Sequence, residues 1–124
     1  MRRSDASSIY SHFVAQVASS TRAWCLTCHG DICAIHGASG HVVLPLWSDA
    51  ETARYLTAAH WPHLETSQLS LRELLWRCLP VAANAGIPAG VGVEIDAEAV
   101  VVPAVRLRHD LIEARAGGLT RGCS

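Results

Sequence analysis

The stretch Trp24-Cys25-Leu26-Thr27-Cys28-His29-Gly30-Asp31-Ile32-Cys33 has two readings, and they lead to different proteins. As a motif, C-x-x-C-H is a c-type haem attachment site or half of a zinc site. As a pattern, Trp24, Leu26 and Cys28 alternate with Cys25 and Thr27, and Gly30-Asp31 punctuates the run, which reads as a strand entering a turn. Residues three apart on a strand face opposite ways and stand about 10 Å apart, at roughly 3.3 Å per residue. Cys25 and Cys28 then cannot share a metal ion. Nor can they form a disulfide, which needs Cα atoms within about 7 Å. Haem attachment also needs export. Met1-Arg2-Arg3-Ser4-Asp5 is followed by Ser-rich amphipathic sequence, not by the apolar core of a signal peptide. The expectation is buried thiols on a strand, with no metal and no cofactor.

Working outward, residues 32–36 read as a second strand, 37–40 as a turn, and 41–46 as a third strand ending at Pro45, a meander. Upstream, Ile9, Phe13, Val14 and Val17 recur at helical spacing and predict a helix over about 5–19, capped by Asp5 or Ser7. Ser48-Asp49-Ala50-Glu51 reads as a capping box with Ser48 at the cap, opening a helix to about Ala59 that turns Ala53 and Leu56 inward. Ser70-Leu71-Arg72-Glu73 reads as a second box, opening a helix that carries Leu74, Leu75, Cys78 and Leu79. Pro80 is expected to break or kink that helix, and Gly86 to stop it. Residues 87–95 read as a strand containing Gly90 and Gly92, and 99–102 as its return. Pro103 opens a last helix to about Ala116 that packs Leu107, Leu111 and Ile112 inward. Gly117-Gly118 ends it, leaving a loose tail to Ser124.

This order predicts an α+β fold: one domain over 1–124, ordered over about 5–116, with a mainly antiparallel sheet of about five strands and helices packed on it. The 124 residues suit one domain, and half of them are apolar, enough for a packed core. A formal charge of -1 leaves no basic surplus for phosphate, so nucleic acid is not an expected partner. No apolar run approaches the roughly 20 residues of a membrane span, and the chain is expected to be cytoplasmic. Five cysteines cannot all pair, and in a reducing compartment they act as small hydrophobes.

His36 and His41 flank a turn and are candidates to face each other. His60 and His63 are i, i+3 at a helix end, and His29 completes a possible His cluster with His36 and His41. A functional metal site needs three or four ligands, and exposed turn histidines are favoured. No G-x-S-x-G elbow, phosphate-binding loop or H-E-x-x-H occurs, so no catalytic residue is assigned. The rival reading is a small metal- or thiol-dependent enzyme using Cys25, Cys28, His29 and Cys33. A more suggestive feature is Glu94, Asp96 and Glu98, alternating with Val93, Ile95 and Ala97. They line one face if the strand runs through, or cluster at a hairpin tip if Asp96-Ala97 turns, and either acidic patch suits a basic partner surface, where charge orients and speeds association.

The order of pieces resembles the bacterial domain-of-unknown-function family numbered twenty-seven fifty. The matching residues are Phe13 and Val17, Trp24-Cys25-Leu26, Gly40, Leu44-Pro45-Leu46-Trp47-Ser48, Glu51 and Ala53. Trp61, Leu71, Leu79-Pro80, Gly86, Gly90-Val91-Gly92, and Pro103 with Leu107 and Leu111 follow. The resemblance covers about 9–111 and brings no assigned catalytic residues and no Cys or His cluster. Small families of this sort recur beside polymorphic and secreted toxins, which implies an immunity role. The expectation is a non-enzymatic protein-binding module, monomer or homodimer. It would neutralise a cognate toxin, such as a nuclease delivered by type VI secretion, through Glu94, Asp96 and Glu98. A housekeeping adaptor is the remaining alternative.

Overall fold

The structure is a computed structural model, which describes residues 6–36, 40–92 and 100–123. Its order is α1 (Ala6–Ser20), β1 (Arg22–Cys28), β2 (Asp31–Ile32), β3 (Ile35–His36), β4 (Val42–Leu46), α2 (Ala50–His60) and β5 (Glu65–Ser70). Then come α3 (Leu71–Glu73), a π turn (Leu74–Cys78), α4 (Leu79–Ala85), β6 (Ala89–Val91), β7 (Val100–Val102) and α5 (Ala104–Cys123). The chain is α+β, a single small domain with mostly antiparallel pairing, as expected. The strands divide into two sheets, β2-β1-β5 and β3-β4-β6-β7, of which only β4–β6 is a parallel pair.

The meander is therefore split. Asp31 and Ile32 pair with β1, whereas Ile35 and His36 pair with β4. The chain changes sheets between them, at Cys33-Ala34. The two sheets are stitched by one antiparallel bridge, in which Trp24 and Trp47 exchange backbone bonds of 2.9 and 3.0 Å. Pro45 sits inside β4 without a lost ladder bond. Leu44 N–H and Leu46 C=O point toward the β6 side, so the nitrogen of Pro45 points the other way. On that side β3 pairs only Val42 and Val43.

Each face of β1 covers a different core. Ala23 and Cys25 join Phe13, Val17, Leu46, Leu79, Leu107 and Leu111 in the larger one. Leu26 joins Ile35, Val43, Trp47, Ala53 and Leu56 in the smaller, beneath α2. A strand covered on both sides reads as a continuous apolar run, which Trp24-Cys25-Leu26 is.

Several boundaries differ from the expectations. The cap of α2 is Asp49, one residue later than Ser48. The Asp49 carboxylate accepts from Thr52 N–H at 2.8 Å. The Ser70–Glu73 box is complete in both directions, as expected. β5 lies in sequence that carried no strand expectation. Its Glu65-Thr66-Ser67-Gln68 run is too polar to alternate, and it is an edge strand paired along its whole length with Arg22 to Thr27 of β1. α5 continues through Gly117–Gly118 to Cys123 instead of stopping there. α1 begins at Ala6, so Ser7 lies within it and Asp5 lies outside the described residues.

Pro80 does not break its helix. Immediately before it the chain widens into the π turn, and Leu79 N–H bonds to Leu74 C=O, five residues back. In that pairing the next donor would be Pro80, which has no N–H to give to Leu75 C=O. Arg108 from α5 supplies the missing donor, with its Nε on Leu75 O at 2.8 Å. The helix then runs to Gly86, whose φ of 73° closes a Schellman motif with Ile87 N–H on Ala82 O at 2.9 Å.

Candidate functional site

The Cys28-His29-Gly30-Asp31 corner is a two-residue hairpin turn with φ of 54° at His29 and 86° at Gly30. Positive φ at both central positions is the type I′ geometry that matches strand twist. The C-x-x-C-H motif is thus a strand and its turn. Cys25 lies in the larger core, while Cys28 is on the opposite face, half-buried.

His29, His36, His41, His60 and His63 are all exposed, the arrangement favoured from the sequence. His36 is opposite Val42, which leaves His41 one position beyond the pairing. α2 ends at His60, whose ring lies tilted against Trp61 with centroids 5.5 Å apart, and His63 lies past the helix. Among the described residues, no three His, Cys, Asp or Glu side chains converge as a metal site requires. Glu94, Asp96 and Glu98 lie outside the described residues, in the segment that joins β6 to β7.

What the fold creates is an open cleft of about 580 Å³ between the β2-β1-β5 sheet and the 71–85 helix. Its floor holds Cys25, Thr27 and Ser67 from the sheet and Cys78 from the helix, and Asp31 and Arg77 stand among its walls. Thr27 and Ser67 occupy each other, hydroxyl to hydroxyl, at 2.8 Å. Glu73 is committed to the Ser70 cap. Burial is the main reason the Cys25 thiol is pushed up to about 12, with Cys78 close by adding to it. Burial pushes the Cys78 thiol to about 11. Both are neutral near pH 7, so neither supplies the thiolate that nucleophilic chemistry requires. Sequence reasoning missed this cleft because one wall is β5 and the other is a helix that Pro80 was expected to interrupt.

A second surface lies where the 71–85 helix meets α5. Trp76 is 62% exposed, and the Arg108 guanidinium sits 4.3 Å from its ring centroid. Arg108 is itself anchored on Leu75 O, so the ring rests on a fixed cation. Val105 and Ile112 are exposed and share a flank of α5 with Arg108 at i, i+3 and i+7 spacing, so Ile112, expected to pack inward with Leu107 and Leu111, instead lies at the edge of the buried stripe.

The fold and its surfaces define a small α+β domain with an open cleft and an exposed aromatic–cation patch. The chain belongs to the DUF2750 family, described as a protein of unknown function, whose pattern matches residues 10–111. No curated protein matches the chain. Among the described residues, no helix is long and apolar enough to cross a membrane.

Proposed function

We propose that this chain is a protein-binding module, in its most concrete form a non-enzymatic cytoplasmic immunity protein that neutralises a cognate secreted toxin. One observation carries the binding role: Trp76, a large aromatic left in water and braced by an anchored Arg108. Trp and Arg are the side chains most enriched among residues that dominate binding energy. A rigid pair also loses little freedom when a partner covers it. Glu94, Asp96 and Glu98 remain the charged contacts of this reading. Carboxylates suit a nuclease toxin, whose site is built for phosphate.

The test has two stages. The tagged chain captures partners from the source cells, and each captured secreted protein is then expressed in a sensitive host with and without the chain. The reading predicts one toxic effector whose growth arrest the chain relieves. Trp76→Ala, or the triple Ala variant at 94, 96 and 98, is expected to weaken that complex about thirtyfold or more, the scale of a dominant contact. A captured partner without toxicity sinks the immunity role. Unchanged binding by both variants sinks the proposed contacts.

A further inference from the structure

We propose that Cys28 and Cys33 are a disulfide-forming pair that closes across the β1–β2 hairpin on reaction with a small-molecule disulfide such as oxidised glutathione. The register makes the pair. Cys28 lies opposite Asp31, and Cys33 N–H bonds to Leu26 O at 2.9 Å, so Leu26 and Cys28 share a face with Asp31 and Cys33. Cys28 and Cys33 are diagonal neighbours on that face, and their thiols lie within hydrogen-bonding reach of each other. The type I′ turn at His29-Gly30 brings the strands together without help from either thiol.

A regular diagonal separates Cα atoms by about 7–8 Å, slightly beyond a comfortable bridge. Cys33 can close that gap. It lies just past β2, held to β1 by the backbone bond to Leu26 O, and the contact of its thiol with Asp31 O is a long one, 3.5 Å. Both thiols are half-buried and open to a reagent, whereas Cys25 and Cys78 are buried.

The exchange balances simply. One protein thiolate attacks a glutathione sulfur, forming a mixed disulfide and expelling one glutathione thiolate. The second protein thiolate then attacks the protein-side sulfur of that bond and expels the other. Two protein thiols lose two electrons and two protons, and oxidised glutathione becomes two reduced molecules. The link would pin Cys33-Ala34, where the chain leaves one sheet for the other. It would also fix the cleft wall formed by Gly30, Asp31 and Ile32. The pairing is independent of the identity of any partner.

The experiment incubates the reduced full chain with oxidised glutathione, caps remaining thiols with an alkylating reagent, and reads the products by mass spectrometry. Trypsin leaves Cys25, Cys28 and Cys33 on one peptide, because no Arg lies between Arg22 and Arg54. A protease that cuts before Asp31 separates Cys28 from Cys33. The expected product has lost two hydrogens, keeps those two pieces linked, and carries the cap on the other three cysteines, Cys25, Cys78 and Cys123. Cys33→Ala should stop at a glutathione adduct on Cys28. The proposal is overturned if the chain stays fully reduced, or if any internal link joins other cysteines. It is also overturned if wild type stops at the same adduct as Cys33→Ala.

Discussion

Cys25 and Cys78 keep their protons because burial penalises the thiolate, and this couples stability to pH. Their folded values, about 12 and about 11, stand above the exposed value of 9.0, so the folded chain holds protons that the unfolded chain releases. Stability is therefore full below about pH 9 and falls as pH rises through the folded values. Tyr10 acts in the same direction. Burial, and donation to Asp110 Oδ2 at 2.6 Å, raise its pKa. Urea unfolding at pH 7.5 and pH 10 should show lower stability at pH 10, and a Cys25→Ala/Cys78→Ala variant should flatten the difference. At His29 the backbone holds a non-glycine residue at φ 54°. Asn tolerates that region better, so His29→Asn is expected to stabilise by about 0.5–1 kcal/mol, read by thermal melting. The residue types at this corner were legible in sequence. Which thiols meet was not, because that depends on the register.

At the scale of elements, the 71–85 helix shows how a local rule is overridden. Pro80 removes a donor, as the sequence says, but the π turn and Arg108 together absorb the loss. Arg108→Ala should cost about 1–3 kcal/mol, the range for an orphaned carbonyl. Pro80→Ala restores an N–H, so the same Arg108 change should cost measurably less in that background. A double-mutant cycle by urea unfolding gives the coupling, and strict additivity would sink this account. The capping boxes mark a different limit. Both helix starts were legible from their spacing, yet only Ser70 caps as expected, while Asp49 displaces Ser48. Adjacent Ser and Asp are near-equal caps, and the path of the incoming chain chooses between them.

At the scale of the molecule, two sheets and two cores depend on a narrow seam. The Trp24–Trp47 bridge joins the sheets, and the Trp47 ring, 2% exposed, packs in the smaller core 6.5 Å from the Trp61 ring. Trp47→Ala should cost about 3–5 kcal/mol, the range for a buried large aromatic. Because β1 is shared by both cores, unfolding should remain one transition, with fluorescence and circular dichroism superimposing. Separate transitions would mean that the smaller core unfolds on its own.

The sequence alone determined the α+β class, the helices and the strand nature of the Trp24–Cys28 run, which puts Cys25 and Cys28 on opposite faces. These follow from periodicities of 2 and 3.6 and from cap chemistry, which act over a few residues. Only the tertiary structure decided that the meander splits between two sheets and that β4 and β6 run parallel. It also recruited the polar 65–70 segment as a strand and carried the helix past Pro80. The cleft and the Trp76–Arg108 patch depend on those choices. The last two of those choices are pairings between residues tens of positions apart, where a partner's backbone or side chain supplies what local sequence lacks: β1 for β5, and Arg108 for Leu75.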